Sequence, residues 1–258
     1  MDLQGKRIIV TGSARGMGAA TVRAYVSAGA HVYGMDLADD AGRTVAADAN
    51  AKGPGKAAYL NVDIADKHSV ETAFAEAVKQ MGGLDALAHP AAIQRSSDAG
   101  DVSVADWDLM FAVNVRGTML TNQVAHRYMK VSGGGSIINF GSISGQRPEP
   151  SAAAYSAAKG AVHSWTRTAA GTWGKDNIRV NAILPAMATP MYLEARARGP
   201  RIISGATIGV DNYLFPRHVR RLELPLVLKE SGTRAPQRVP KQMPRRAGLQ
   251  RDRGSREY

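Results

Sequence analysis

RIIVTGSARGMG, Arg7 to Gly18, decides how this chain is read. Its first half, Arg7–Gly12, is a β-branched run that reads as a buried strand ending in a glycine turn. Its second half spaces glycines as GxxxGxG at Gly12, Gly16 and Gly18. A helical pattern follows from Gly16 to Gly29, with Ala20, Val22, Ala24, Tyr25 and Val26 inside it. Glycine permits a tight turn and lets a bulky anion come close to the backbone. The helix start then offers free N–H groups and a positive dipole end to that anion. Alone, such a loop is only a turn. Placed after the first strand and opening a helix, it points to a dinucleotide site. Gly12, Ser13, Arg15, Gly16, Met17 and Gly18 are its candidate contacts.

The pattern repeats along the chain. HVYGMD (His31–Asp36), AAYLNVD (Ala57–Asp63), LDALAH (Leu84–His89), SIINFGS (Ser136–Ser142) and IRVNAIL (Ile178–Leu184) read as further strands. Between them lie helical periods. Val70, Phe74, Ala77, Val78 and Met81 share one face of an Asp66–Gly82 helix, Val104–Val131 is a long helical stretch, and Pro150–Gly174 is another. Alternation at this spacing predicts an α/β fold, a doubly wound parallel sheet of the Rossmann type with right-handed crossovers. Its ligand site would lie at the carboxyl ends of the strands.

A length of 258 residues with 44% hydrophobic and 21% charged residues suits a soluble globular protein. Cysteine is absent, which excludes disulfides and thiolate chemistry. The histidines His68, His126 and His163 are scattered without metal-ligand spacing, and no metal is expected. Trp107, Trp165 and Trp173 are spaced like helix core or interface residues. No apolar run is long enough to span a bilayer. MDLQGKRIIVTG lacks the build of a signal peptide, so a cytoplasmic location is expected. The net charge of +11 is uneven. Residues 199–258 hold 13 Lys and Arg against 5 Asp and Glu, and 6 of the 12 prolines. This predicts a boundary near Arg198: a folded unit at 1–198 and a basic, Arg/Pro-rich tail at 199–258 that cannot bury enough apolar area to fold alone. A nucleic-acid role for that tail is disfavoured, because it lacks interleaved aromatics.

Asp36 closes the second strand. Its carboxylate suits the hydroxyls of a ribose and repels a 2′-phosphate, which favours NAD over NADP. The alternative is a cap for the helix begun by LADDAGRTV. Arg15, a cation beside the loop, argues the other way, toward NADP. Asp63 and Ile64 after the third strand are placed to bracket an adenine, or Asp63 is a cap for the next helix. In AAYSAAKG (Ala153–Gly160), Tyr155 and Lys159 fall four apart on one helix face.

Taken together, GxxxGxG, Asn114 within NVRG, Ser142 within GSISG, YSAAK and IRVNAILP resemble the short-chain dehydrogenases/reductases, over about Met1 to Met191. The chemistry fits the residue types. A tyrosine of pKa near 10 is too weak a base at neutral pH, and a cation within ~4–6 Å lowers it by about 1–3 units. Lys159 would be that cation and Tyr155 the acid/base, in hydride transfer between NAD(H) and a secondary alcohol or ketone. The resemblance further implies that Lys159 holds the nicotinamide ribose, that Ser142 orients the substrate oxygen, and that Asn114 positions a water in a proton relay. It also implies that Pro185, Met187 and Thr189 of PAMATP hold the nicotinamide carboxamide. Gln94, Ile143, Gln146 and Met187 are candidate pocket residues. The helices carrying Asn114 and Tyr155 would form a homodimer or homotetramer contact.

The sequence also departs from the family. HPAA (His89–Ala92) replaces NNAG, which puts Pro90 and Ala91 in a loop close to the cofactor. Ala186 replaces a glycine. After about Arg198 no substrate-covering helix, seventh strand or VDGG-like end is found. A shifted reading frame or replaced C-terminus is expected there, with an unpaired sheet edge. The alternatives are a relative that binds cofactor but is catalytically impaired and, further off, a binder of acidic surfaces through the tail.

Overall fold

The computed structural model describes residues 2–149 and 151–185. The expected boundary near Arg198 and the basic tail lie outside them. Six strands form one sheet: β1 (Arg7–Thr11), β2 (His31–Asp36), β3 (Lys56–Asn61), β4 (Ala86–His89), β5 (Gly135–Phe140) and β6 (Ile178–Ile183). Their order is β3-β2-β1-β4-β5-β6. Every pairing is parallel, with Ile9 opposite both Tyr33 and Leu87. This is the doubly wound order of the Rossmann fold, with its reversal between β1 and β4. Among the described residues, β6 pairs with β5 alone and no seventh strand is present.

The central strands are apolar on both faces. Ile8, Ile9 and Val10 are all buried, as a strand covered on two sides requires. The covering helices are α1 (Gly16–Ser27), α2 (Asp39–Lys52), α3 (Lys67–Met81), α4 (Val104–Met110), α5 (Gly117–Val131) and α6 (Ala153–Trp173). The expected face of α3 is largely the buried one: Val70, Phe74, Ala77 and Met81 join the core and Val78 is partly covered. Burial of Phe74 alone contributes roughly 2–3 kcal/mol. The helix is capped by Asp66, whose carboxylate accepts the Ser69 N–H at 2.6 Å. It ends at Gly82 with φ +74°, the left-handed stop that glycine takes most readily.

Several boundaries differ from expectation. Strand β4 begins at Ala86, not Leu84. Asp85 instead takes a fork of hydrogen bonds from the Arg7 guanidinium, at 2.9 and 2.7 Å, and one from the Arg7 N–H at 2.8 Å. The Asn122 and Asn139 amides pair reciprocally between α5 and β5, at 2.9 and 3.0 Å. The Thr166 hydroxyl and Trp165 indole of α6 complete that buried network. The long stretch 104–131 is not one regular helix: Phe111–Arg116 is π-helical between α4 and α5. Such insertions are uncommon and recur at functional sites. Asn114 sits inside it, 1% exposed.

Candidate active site

The glycine loop lies where β1 hands over to α1, at the topological reversal. Gly12 and Gly16 have φ +60° and +54°, which side chains rarely adopt. A Cβ on Gly12 would come within 2.7 Å of the Ala91 Cα, and one on Gly18 would strike the Gly12 carbonyl. Backbone therefore meets backbone around a cradle that any side chain would fill. Arg15 is the N-cap of α1 and its side chain caps nothing, and no acidic residue stands in the first turn. The helix thus presents free N–H donors with no acidic residue in its own first turn, a donor set that fits a pyrophosphate. Arg15 is exposed and Met17 half-buried. Ser13 is buried, and its hydroxyl has no partner among the described residues.

Asp36 is not the cap of α2. That position is Ala38, without a side-chain bond. The carboxylate accepts the Ala14 N–H at 3.0 Å and the Ala38 N–H at 3.1 Å. It is thereby tied to the glycine loop, with further lone pairs to offer. Asp63 is not a cap either, since Asp66 takes that role. Its Oδ1 closes a local turn with the Ala65 N–H at 2.8 Å. The Ile64 side chain is committed to the core, pressed against Gly117.

Tyr155 and Lys159 share the buried face of α6, at 7% and 4% exposure. The Lys159 ammonium lies 5.6 Å from the centre of the Tyr155 ring and donates to the Phe140 carbonyl at 2.6 Å. Burial pushes the lysine down to about 8. The expected lowering of the tyrosine does not occur. Burial raises Tyr155 to about 12, with a hydrogen bond from Ser142 pulling the other way. Desolvation of the phenolate outweighs its neighbours here. Ser142 follows β5 as the N-cap of a 3₁₀ turn, Ile143–Gly145. Its Oγ lies 2.7 Å from the Ser144 Oγ and 3.3 Å from the Ser144 N–H. Asn114 clasps the post-β4 loop, donating to the Ile93 carbonyl and accepting the Ile93 N–H, both at 2.9 Å. Ser142, Tyr155 and Lys159 thus meet at the end of β5, and Asn114 braces the loop entering the same region.

His89 replaces the family's asparagine as a tie. It is 2% exposed, with Nδ1 2.8 Å from the Thr11 hydroxyl of β1 and 3.2 Å from the Thr121 hydroxyl of α5. Burial, and then the charge of Lys159, push it down to about 3. A neutral, strand-tying ring is a structural substitute and not a base. Ala91 and Ile93 are half-buried beside it and Gln94 and Ile143 are partly open, while Gln146 is exposed. Pro185 ends the described residues, and Met187 and Thr189 lie outside them. Sequence reasoning passed over His163. It stands four residues beyond Lys159 on the same face, 4% exposed, and its Nε2 accepts the Ser142 backbone N–H at 3.2 Å. That spacing after Tyr155 and Lys159 was the available signal. Among the described residues there is no metal-ligating cluster, and no helix is long and apolar enough to cross a membrane.

The geometry agrees with what the chain is similar to. The short chain dehydrogenase family model matches residues 6–198. A 2,5-dichloro-2,5-cyclohexadiene-1,4-diol dehydrogenase from Sphingobium indicum is 42% identical over 197 residues, 75% of this chain and 77% of that protein. A short-chain dehydrogenase/reductase structure from Mycobacterium ulcerans superposes with TM-score 0.74 at 26% identity, covering 76% of this chain and 73% of that one. A short chain dehydrogenase from Burkholderia cenocepacia, solved in complex with NADP, gives 0.69 at 30% identity over 77% and 84%. With its parallel doubly wound sheet, glycine cradle and family match over three quarters of its length, this chain belongs to the short-chain dehydrogenases/reductases.

Proposed function

We propose that this oxidoreductase moves a hydride between NAD(H) and a secondary alcohol or its ketone, with Tyr155 as acid/base. The observation that carries the reading is the burial of a phenol and an ammonium side by side on α6, over the end of β5. Gly12, Ser13, Arg15, Gly16, Met17 and Gly18 would hold the pyrophosphate and Asp36 the adenosine ribose. Asp63, Ala91, Pro185, Met187 and Thr189 complete the proposed cofactor set. Asp36 supports NAD because its anion sits against the loop backbone at the end of β2, where a 2′-phosphate would be repelled. The nicotinamide, when bound, takes or gives the hydride.

The remaining chemistry belongs to the chain. Oxidising the alcohol releases one hydride and one proton, and Tyr155, in its phenolate form, takes the proton from the hydroxyl and becomes the phenol. Lys159, largely protonated at neutral pH with a pKa of about 8, favours the phenolate that must stand ready to take that proton. When the Ser142 Oγ accepts from the Ser144 N–H and Oγ–H, its own proton is free to point at the substrate oxygen. Asn114, held by both polar groups of Ile93 and with its backbone carbonyl accepting the Thr118 hydroxyl at 2.7 Å, would position a water in the proton relay. The Sphingobium relative acts on a cyclic diol, which makes cyclic secondary alcohols the first substrates to try. Assembly through the Asn114 and Tyr155 helices is supported by Val104, Trp107 and Leu109, which leave 76%, 41% and 41% of their surface exposed on α4.

The test is thermal unfolding of the full chain with NAD or NADP, followed by NADH production from cyclic diols. A midpoint rise with NAD, with turnover lost in Tyr155→Phe, is expected. A rise with NADP alone refutes the cofactor assignment. Binding without turnover assigns the chain to the impaired reading that HPAA invites.

A further inference from the structure

Ser142 cannot orient a substrate unless its own loop is fixed to the helix it faces. The bonds within the loop, Gly145 N–H to the Ser142 carbonyl at 3.1 Å and the Ser142–Ser144 pair, hold the turn but do not tie it to α6. GSISG (Gly141–Gly145) leaves β5, makes one 3₁₀ turn and carries glycines on both sides of the serine. Gly141 is explained by His163, and Gly145 by His163 together with the α6 backbone at Lys159 and Gly160, which also lies 2.8 Å from an added Cβ. A Cβ on Gly141 would strike the His163 Nε2, and one on Gly145 would lie 2.8 Å from the His163 Cε1. The imidazole is therefore wedged between the two glycines that flank Ser142. Between them, the ring nitrogen accepts the Ser142 N–H at 3.2 Å.

We infer that His163 is the positioning residue for Ser142, locking the serine loop onto the helix that carries Tyr155 and Lys159; this rests on the reading that Ser142 orients the substrate oxygen. Residues 155, 159 and 163 fall on successive turns of α6, so one rigid face presents the acid/base, its cation and the clamp for the serine. Accepting a backbone N–H requires a bare Nε2, so the ring is neutral with its proton on Nδ1. Its surroundings enforce neutrality. Burial holds His163 below the ordinary histidine value, and the charges of Lys159 and Arg167 on the same helix push it the same way. The loop facing it brings hydroxyls and glycine, and no charge.

Three variants of the full chain test this: His163→Leu removes the acceptor, His163→Gln carries one to nearly the Nε2 position, and His163→Asn carries one only as far as Nδ1. With NAD and a turned-over alcohol, His163→Leu should lower kcat by about ten- to a hundred-fold, the cost of a small misplacement of a reacting group. The Kd for NAD, read by thermal shift, should stay within about twofold, because a residue that clamps only the serine loop does not touch the cofactor. Gln should recover most of the loss and Asn little of it. If Leu keeps wild-type kcat, or Gln does no better than Leu, the inference is overturned. Ser142→Ala separates the layers: if it is inactive while His163→Leu is fully active, the clamp is wrong and the serine reading stands. If Ser142→Ala is fully active, both fall. Should His163→Leu fail to fold, the ¹⁵N spectrum of the wild-type protein decides, with the His163 signal assigned by its loss in His163→Gln. An unprotonated Nε2 at neutral pH supports the clamp, and an Nε2–H tautomer overturns it.

Discussion

Acidification from about pH 7 to pH 5 should cost this protein stability through His89 in particular. The ring sits at the carboxyl end of β4, 2% exposed. The Thr121 hydroxyl gives its proton to the Gly117 carbonyl at 2.8 Å, so toward His89 it can only accept. An orphaned buried N–H costs more than an orphaned lone pair, so the proton belongs on Nδ1 and Nε2 is the buried atom left without a partner. Adding a second proton would place a cation in a dry site beside Lys159, and the pKa falls to about 3. The unfolded chain titrates near 6.5. Above that pH neither state is protonated and His89 is neutral to stability. Below it the unfolded chain gains a proton that the folded one refuses until about pH 3. Stability is therefore lost as the pH falls through this window, at about 1.4 kcal/mol per pH unit, or about 2 kcal/mol by pH 5.

Urea unfolding of the wild type and His89→Asn at the two pH values isolates this share. The Asn amide reaches where Nδ1 stands, so it keeps a partner for Thr11 and Thr121. It leaves a small void that costs about 1–2 kcal/mol at both pH values. His163 and His31, both held below the ordinary value by burial, titrate in the same direction but are present in both proteins, and they cancel. The wild type should lose about 2 kcal/mol more than the variant between pH 7 and pH 5. An equal loss in the two proteins would refute the burial argument.

Asn139→Leu leaves the Asn122 Nδ2 donor without its acceptor and takes one donor from the Thr166 hydroxyl, which keeps its bond to the Val162 carbonyl, and should destabilise by about 2 kcal/mol in urea titrations. Lys159→Met should abolish turnover yet raise the unfolding midpoint without cofactor. With a folded pKa of about 8 against about 10.4 unfolded, the buried ammonium costs about 3 kcal/mol at neutral pH, recovered as pH rises from 8 toward 10; wild type should gain stability over that range and the variant should not. Gly12→Ala forces a side chain to φ +60° and into Ala91, so it should lose the thermal shift with NAD and about 2 kcal/mol or more of stability.

The strands and α3 were legible because a covered parallel sheet writes itself as short apolar runs at regular intervals, and Val70, Phe74 and Ala77 keep the helical period. The glycine loop was legible for a like reason: Gly12 and Gly18 are demanded by backbone contacts and Gly12 and Gly16 by positive φ, and few other residues meet those demands. What was not legible depends on surroundings that sequence spacing does not carry. VNVRG has ordinary helical propensities, and nothing local marks its shift to π geometry. Asp36 and Asp63 read equally as caps or ligands because a carboxylate near free N–H groups serves either use; only the positions of Ala14, Ala38 and Ser69 separate them. Spacing put Lys159 beside Tyr155 but gave no depth, and depth set the sign of the phenol's shift. His163 looked isolated because its partners are glycines, which carry no chemistry of their own.

The costs and the supports of this site lie at and just below the carboxyl ends of β1, β4 and β5, with α5 and α6 packed against them. Lys159 is a buried cation, Tyr155 a buried phenol, His89 a ring held neutral, and the Ser13 hydroxyl is left without a partner. All of them sit at the carboxyl ends of the strands, and each is unfavourable by itself. The network of Asn122, Asn139, Thr166 and Trp165 is buried directly beneath, with its amides paired. Asn139 is the residue before Phe140, whose carbonyl takes the Lys159 ammonium. Asn139 therefore anchors β5 to both helices one residue short of the point where β5 must hold the cation. If that coupling is real, Asn139→Leu should do more than destabilise. In molecules that remain folded, it should also loosen the Lys159 tether and lower kcat with little effect on NAD affinity. Asn139→Leu with lowered stability but unchanged kcat would show that the network supports the fold alone and that the Phe140 carbonyl is held by other means.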